Sequence, residues 1–281
     1  MHNPLEEEDV ATKAIQIKKF HASKIYSEED VVAIEEPLEI RIAYLEVGER
    51  ISKNISITMR TPGDDKNLAI GFLFTEGIIK SYRAIDSCKH LDENIIEVRI
   101  NDAIQLDLSK LDRHSYTSSS CGVCGKTSID LIHIASAYTE VDNPLAIHKS
   151  IFQDLNKELL ATQTIFSKTG GIHAAALYNR DGKLVHIAED VGRHNALDKL
   201  IGHSLSQLVF PLHNYFLLVS GRASFELIQK ATMAGLPIFL AVGAPSSLAV
   251  ELAHSAKMCL VGFLKSESFN IYTTPERIIH E

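Results

Sequence analysis

The segment from Tyr215 to Leu264 decides the fold and reads YFLLVSGRASFELIQKATMAGLPIFLAVGAPSSLAVELAHSAKMCLVGFL. Three short apolar runs within it, at 215–219, 237–242 and 259–264, have the length and composition of buried strands. The stretches between them, at 224–234 and 247–257, have the length of helices. Because strands and helices alternate, we expect right-handed crossovers and a mostly parallel sheet.

The residues before this segment extend the alternation. We expect a helix over about 150–162, strands at 172–178 and 184–188 joined by the turn Asn179-Arg180-Asp181-Gly182, and a helix over about 195–207. The order α-β-β-α-β-α-β-α-β makes the sheet mixed, because its first two strands form a hairpin. This order is typical of a cytidine-deaminase-like, mixed-sheet, three-layer domain, which we place at residues 146–281.

The first half of the chain has the period-two pattern of half-buried strands, for example over 14–20, 39–44 and 55–59. A helix is expected over about 68–77 with Asp64 or Asp65 as its cap, and a strand pair over 95–100 and 104–108 with Asn101-Asp102 at the turn. The expected domains are a polar tail (1–12), a strand-rich α+β domain (13–113), a Cys-x-x-Cys loop with a helix and linker (114–145), and the deaminase-like domain. The fold class is therefore α/β, or α+β over the whole chain, with the smaller strand-rich domain first.

The composition is that of a soluble globular protein. The 281 residues are 45% hydrophobic and 23% charged, which excludes a disordered chain. The formal net charge of -8 lacks the basic footprint that non-specific nucleic-acid binding needs. The acidic start at 1–9 is no secretory signal, and no window approaches the roughly 18 apolar residues of a membrane span. We therefore expect a cytoplasmic protein that binds neither nucleic acid nor membranes.

Three loops of the second half lead from a strand into a helix, and each places small residues and backbone N–H groups at a helix start. They are EDVGRH at 189–194, SGRA at 220–223 and GAPS at 243–246. In an open α/β sheet such loops gather around one crevice, and helix starts favour anions. Arg193 and Arg222 suit phosphate oxygens, so the loops indicate a site for a phosphate-bearing ligand, although ordinary capping and tight turns would explain them too.

The chain has four cysteines: Cys88, Cys121, Cys124 and Cys259. Only Cys121 and Cys124 form a pattern, a Cys-x-x-Cys in a polar loop rich in glycine and serine. We expect no zinc, because structural zinc needs two more ligands at a suitable spacing, and a deaminase site needs His-x-Glu and Pro-Cys-x-x-Cys at successive helix starts. Thioredoxin-like dithiol exchange and a reactive thiol that carries sulfur both stay open.

Several strings in the chain resemble, in the right order, those of the formate dehydrogenase accessory sulfurtransferase family (FdhD family). They are TPGD at 61–64, GFLFTEG at 71–77, SSCGVCG at 119–125, TGGIH at 169–173, EDVGRHNALDK at 189–199, SGR at 220–222, GAPS at 243–246 and FNIY at 269–272. The resemblance covers roughly residues 30–275. Several long strings together are far more specific than the Cys-x-x-Cys motif by itself.

The resemblance implies a function, a deaminase-like domain and a homodimer. The family takes persulfide sulfur from a cysteine desulfurase onto its Cys-x-x-Cys motif. It passes the sulfur to the molybdenum bis-molybdopterin guanine dinucleotide cofactor, which then enters formate dehydrogenase. By this resemblance Cys121 is the persulfide-bearing nucleophile of a sulfurtransferase, and Cys124 assists or relays.

The expected cofactor contacts follow from the loops and from the resemblance. The strand entrance and the three loops supply Gly171, His173, Asp190, Arg193, His194, Asn195, Ser220, Gly221, Arg222, Gly243, Ala244 and Ser246. By the resemblance, a contact near the C-terminus falls at Phe263, Leu264, Lys265, Ser266, Glu267 and Ser268. No metal ligand is assigned to the protein itself.

The alternative function is a binding module. Such a chaperone would hold the cofactor and dock on formate dehydrogenase without sulfur chemistry, and its Cys-x-x-Cys motif would be a structural or redox element. Loss of both cysteines would then leave dehydrogenase activity intact, whereas a sulfur carrier would keep cofactor binding and lose the activity.

Overall fold

The computed structural model describes residues 10–104, 106, 145–208 and 210–280. In the first half the strands are β1 (Thr12–His21), β2 (Lys24–Ala33), β3 (Glu36–Glu46), β4 (Glu49–Arg60), β5 (Ile85–Asp92) and β6 (Ile95–Ile100), and the helix is α1 (Asp65–Thr75). The second half begins with β7 (Ile147–His148), α2 (Phe152–Thr162) and α3 (Thr164–Thr169). It continues with β8 (His173–Asn179), β9 (Leu184–Asp190), α4 (Arg193–Gln207), β10 (Tyr215–Val219), α5 (Phe225–Met233), β11 (Ile238–Ala241), α6 (Ser247–Ser255), β12 (Cys259–Gly262), β13 (Asn270–Thr273) and β14 (Ile278–Ile279).

The first half builds a four-stranded sheet in the order β4-β3-β6-β5, preceded by the β1–β2 hairpin. Strand β6 lies between β3 and β5 and has no free edge for the expected pairing of 95–100 with 104–108, and most of that second segment lies outside the described residues. The turn at Asn101 does form, with its side chain accepting a hydrogen bond from the N–H of Ala103 at 2.9 Å. The edge strand β5 (IDSCKHLD) was missed, since it lacks apolar alternation.

The second half builds a six-stranded mixed sheet in the order β13-β12-β11-β10-β8-β9. The pairs β10–β11 and β11–β12 are parallel, as the crossovers predict, and β8–β9 is the expected antiparallel hairpin. Helices α4, α5 and α6 pack on one face of this sheet and α2 on the other. The mixed α/β class is confirmed, and the cytidine-deaminase-like detail stays a prediction.

The two halves share one hydrophobic core, which runs from the four-stranded sheet through α1 to α4 and the six-stranded sheet. Helices α1 and α4 cross at Gly71 and Gly202. A Cβ added to Gly71 would lie 1.8 Å from the carbonyl oxygen of Asp198, and one added to Gly202 would lie 1.9 Å from that of Asn67. Only glycine permits this backbone contact, because any side chain would overlap the opposing helix.

Two buried ion pairs also tie the halves together. Lys230 on α5 donates to both carboxylate oxygens of Asp198 on α4, at 3.0 and 2.9 Å, and to Thr75 Oγ1 on α1 at 2.8 Å. Lys199 on α4 lies 2.7 Å from Asp190 Oδ2 and donates to the carbonyl oxygen of Thr61 at 2.8 Å. Such charges must stay paired, since an isolated charge in the core is costly.

Within the described residues, no helix is long and apolar enough to cross a membrane.

Gly71→Ala tests the helix crossing. Alanine normally stabilises a helix interior by about 1 kcal/mol relative to glycine. Here the added methyl group must push α1 from α4, so we expect a loss of about 3 kcal/mol in the free energy of unfolding, measured by urea denaturation. Gly171→Ala is the control, because its added Cβ would have Thr169 O as its nearest atom, at 3.8 Å. A Gly71→Ala protein as stable as the wild type would contradict the close crossing.

Lys230→Met tests the buried ion pair. The change leaves the buried carboxyl group of Asp198 without its main partner, so the free energy of unfolding should fall by about 3–5 kcal/mol. Adding Asp198→Leu should recover most of that loss, because two well-packed apolar side chains can replace a buried pair. Urea denaturation of the two single variants and the double variant gives the coupling. Additive losses would refute a direct interaction.

Candidate functional site

The three predicted loops meet at one edge of the six-stranded sheet. Strand β9 runs in the same direction as β10, because both are antiparallel to β8, and β10, β11 and β12 are mutually parallel. The carboxyl ends of these four strands therefore share an edge, where α4, α5 and α6 begin. The start of β8 lies there too, since His173 pairs with Asp190. We call the segments 189–194, 220–226, 243–246 and 263–268 the carboxyl-edge loops.

Backbone hydrogen bonds hold these loops in register. Gly243 N donates to Gly221 O at 3.0 Å, and Phe263 N donates to Gly243 O at 3.1 Å. Gly243 has no room for a side chain, because an added Cβ would lie 2.9 Å from Arg222 Cγ and 3.0 Å from Arg222 Cα. The backbone of one loop thus lies directly against the next, and the exposed Arg222 is placed at the junction.

Arg193 supplies the unsatisfied donor of the site. It is the first residue of α4, and its Nε is buried and has no hydrogen-bond partner among the described residues. Burial, together with the charge of Arg193, lowers the pKa of His173 at the start of β8. The His173 ring lies over Gly221, whose added Cβ would be 3.3 Å from its Nδ1. A buried N–H without a partner is uncommon, and a phosphate oxygen is an acceptor that would satisfy it.

His194 lies between α4 and α5. Its Nε2 is 3.3 Å from Ser224 Oγ and 3.8 Å from Glu226 Oε2. Burial, with the nearby charges of Lys230 and Arg193, lowers the pKa of His194 to about 4. The imidazole is therefore neutral at pH 7, with one ring nitrogen donating and the other accepting.

Asp190 and Asn195, both expected to contact the cofactor, bind other parts of this chain. Asp190 is fully buried, pairs with Lys199 and accepts hydrogen bonds from Thr61 N and Gly192 N. Asn195 Nδ2 donates to Met59 O at 2.7 Å and to Asp190 Oδ1 at 3.2 Å. These contacts join α4 to β4 and the residues after it, and a role toward a ligand stays a prediction.

The remaining predicted residues fall into three groups. Ser220 Oγ accepts from Ala174 N at 2.9 Å, and Ser246 Oγ caps α6 by accepting from Ala249 N at 3.3 Å. Gly171 is exposed, and Ala244 lies between Gly243 and Pro245, which forms a bridge to Ala223. In the last segment Leu264 belongs to the core, whereas Phe263, Lys265, Ser266, Glu267 and Ser268 are exposed.

Sequence reasoning missed Ser224 and Glu226. The sequence predicts a loop that ends at Ala223, whereas Ser224 is the N-cap residue of α5 and Glu226 lies in its first turn. Serine followed closely by glutamate at a helix start is an ordinary capping signal, so the local pattern alone gave no reason to assign them to a site. Their proximity to His194 depends on how α4 and α5 pack.

The cysteines divide into two pairs. Cys121 and Cys124 lie outside the described residues. Burial raises the pKa of Cys88 to about 11 and that of Cys259 to about 12. Within the described part of the chain, no group of three histidine, cysteine or acidic side chains could hold a metal ion.

Comparisons with known proteins identify the family. The FdhD/NarQ family model matches residues 33–279. The chain is 42% identical over 277 residues to a Streptomyces coelicolor protein called sulfur carrier protein FdhD, covering 95% of each chain. A Saccharolobus solfataricus protein of the same name is 39% identical, over 96% of this chain and 99% of its own. The crystal structure of a putative formate dehydrogenase accessory protein from Desulfotalea psychrophila matches 96% of this chain and all of its own, with a TM-score of 0.71 at 24% identity. This chain belongs to the FdhD/NarQ family.

The neutral state of His194 predicts a pH dependence of stability. Its pKa in the folded protein, about 4, is below the ordinary 6.5, so the unfolded chain takes up the proton first as the pH falls. Stability from this group is therefore lost progressively below about pH 6.5. Because the ring is partly exposed, we expect a loss of about 1 kcal/mol between pH 7 and pH 5. In urea denaturation, the free energy of unfolding of wild type should fall by that much more between pH 7 and pH 5 than that of His194→Gln. An equal fall in the two proteins would contradict the prediction.

Proposed function

We propose, from its membership of the FdhD/NarQ family, that this chain is a sulfur carrier that serves the maturation of formate dehydrogenase. It takes persulfide sulfur from a cysteine desulfurase onto its Cys-x-x-Cys motif and delivers it to the molybdenum bis-molybdopterin guanine dinucleotide cofactor. The observation that carries the proposal is the similarity over about 95% of the chain to relatives named sulfur carrier protein.

The chemistry of the other two cysteines supports this assignment. A thiolate is the nucleophile in sulfur transfer, and the pKa of a buried thiol that is raised to about 11 or 12 leaves almost no thiolate at neutral pH. Cys88 and Cys259 are therefore poor sulfur acceptors. The proposal gives the role to Cys121, with Cys124 as its helper.

The proposed transfer proceeds by successive displacements at sulfur. The Cys121 thiolate attacks the outer sulfur of the donor persulfide, the donor's S–S bond breaks, and the donor cysteine leaves as a thiolate. Cys121 then carries the added sulfur as a persulfide. In one route the Cys124 thiolate attacks the inner sulfur and releases hydrosulfide to the cofactor, and the resulting disulfide needs a dithiol reductant. In the other route, one thiol of a reductant attacks the inner sulfur and releases hydrosulfide to the cofactor, and a second thiol resolves the mixed disulfide, so that Cys121 returns to the thiol and the reductant leaves as its disulfide.

The carboxyl-edge loops fit the phosphate groups of such a dinucleotide. Arg193 has a buried Nε–H without a partner in the described chain, and Arg222 is exposed in another of the carboxyl-edge loops. Gly221 and Gly243 let the loops pack closely, because their missing side chains leave room for His173 and Arg222. Lys265 is the basic residue of the 263–268 segment, which lies against Gly243 through the bond from Phe263 N. A bound cofactor would supply the molybdenum that receives the sulfur.

The partners belong to the same proposal. A cysteine desulfurase donates the sulfur, and formate dehydrogenase receives the sulfurated cofactor. The family resemblance further implies a homodimer acting in the cytoplasm. Sedimentation velocity of the purified chain tests the dimer directly.

Intact-mass spectrometry after incubation with a cysteine desulfurase and free cysteine tests the carrier function. The wild type should gain about 32 Da for one sulfur, and the gain should disappear on reduction. Cys121→Ala should lose it, because the attacking thiolate is gone. The control Cys88→Ser/Cys259→Ser should keep it, since neither thiol takes part in the proposed chemistry.

Two outcomes would change the assignment. A gain kept in Cys121→Ala and lost in Cys124→Ala would reverse the roles of the two cysteines. No gain on any form, with an active desulfurase, would refute sulfur transfer from that donor and favour a cofactor chaperone. Dehydrogenase activity in cells that carry the double cysteine variant then separates the two functions.

A further inference from the structure

Helices α4 and α5 face each other through two rungs of charged and polar side chains, one helical turn apart. The lower rung is the buried pair of Asp198 and Lys230, whose side chains are 2% and 9% exposed. The upper rung joins His194 to Glu226, at 33% and 40% exposure. On each helix the two residues are four positions apart and lie on the same face. The buried pair therefore sets the distance between the helices at which His194 meets Glu226.

The surroundings of His194 Nε2 decide where the ring carries its proton. Glu226 Oε2, at 3.8 Å, can only accept a hydrogen bond, so a lone pair on Nε2 would face a carboxylate. Ser224 is the N-cap residue of α5, but its hydroxyl makes no capping bond and lies 3.3 Å from His194 Nε2 instead. The Ser224 hydroxyl can accept from Nε2 or donate to it, so the carboxylate of Glu226 decides, and it favours a proton on Nε2.

The charges around the ring agree with a neutral histidine. Burial, with Lys230 and Arg193, lowers the pKa of His194, whereas Glu226 and Glu76 act in the opposite direction and do not outweigh them. With Nε2 protonated and the ring neutral, Nδ1 must keep its lone pair. The hydrogen bond and the ion pair described for His194 both fall on Nε2.

We propose that Glu226 is a positioning residue that holds His194 as the Nε2–H tautomer, so that Nδ1 accepts a hydrogen bond from an N–H group of the ligand's ring system. The inference deepens the proposed function and rests on it for the identity of the ligand. It assigns different parts of a guanine dinucleotide to different residues. Arg193 and Arg222 bind the phosphate oxygens, which only accept hydrogen bonds. His194 binds the edge of guanine or pterin that carries N–H donors.

Nuclear magnetic resonance of protein containing ¹⁵N-labelled histidine reads the tautomer directly. In wild type the His194 signals should be those of a protonated Nε2 and an unprotonated Nδ1. Glu226→Ala should shift them toward a mixture of tautomers, and Glu226→Gln, which keeps a carbonyl oxygen, should restore the wild-type pattern at least in part. Glu251→Ala is the matched control, because it removes an exposed helical carboxylate from α6.

Binding of two probes, measured by calorimetry, tests the consequence for the ligand. Guanosine diphosphate should bind Glu226→Ala about three- to tenfold more weakly than wild type, the loss of roughly one hydrogen bond. Inorganic pyrophosphate, which has no ring, should bind both proteins equally. A general loss of structure would weaken both probes and would also lower the urea midpoint of the variant.

The results separate this inference from the proposed function. An Nδ1–H tautomer in wild type, or Glu226→Ala with an unchanged tautomer, would overturn the role of Glu226. If both probes bound a folded Glu226→Ala protein equally more weakly, the assignment of the ring to His194 and of the phosphates to the two arginines would be overturned. If wild type bound neither probe, the cofactor part of the proposed function would fail, and the tautomer measurement would still decide the role of Glu226.

Discussion

The backbone contact between α1 and α4 at Gly71 and Gly202 constrains the rest of the structure. It joins the strand-rich half to the six-stranded sheet at a separation that admits no side chain. At that separation Thr75 on α1 reaches Asp198, and Lys230 on α5 is drawn to the same carboxylate. Because interiors pack closely, a shift of one helix would break these bonds together. The orientation of the start of α4 at the carboxyl edge therefore depends on a contact about one and a half to two and a half turns along the helix.

The sequence strings that carry the family resemblance include residues of this contact between the two halves as well as residues of the candidate site. In the string at 189–199, Asp190, Asn195 and Lys199 bond to residues 59–61 or to one another, and Asp198 holds Lys230. The string at 71–77 supplies Gly71 and Thr75. The other two polar residues that this string contributes to α4 are Arg193 and His194. They lie in its first turn, beside the carboxyl-edge loops. Motif membership by itself thus does not separate residues that build the site from residues that would touch a ligand.

At the carboxyl edge, burial distinguishes the two histidines from the two arginines. Arg193 and Arg222 supply guanidinium groups, whereas the pKa values of His173 and His194 are lowered, mainly by desolvation. The neutral rings can accept hydrogen bonds where the guanidinium groups can only donate them. A ligand with both phosphates and a heterocyclic ring is a good match for such a division.

The sequence by itself determined the strand and helix alternation of the second half, the parallel core of its sheet and the gathering of three loops at one edge, since these follow from local periodicity and the handedness of crossovers. It did not determine the partners of β6, the strand β13, the internal contacts of Asp190 and Asn195, or the place of Glu226 beside His194. Those depend on which distant segments meet. A periodic pattern records only that a face is buried, whereas tertiary packing decides what lies against that face, and with it which polar groups remain free for a ligand.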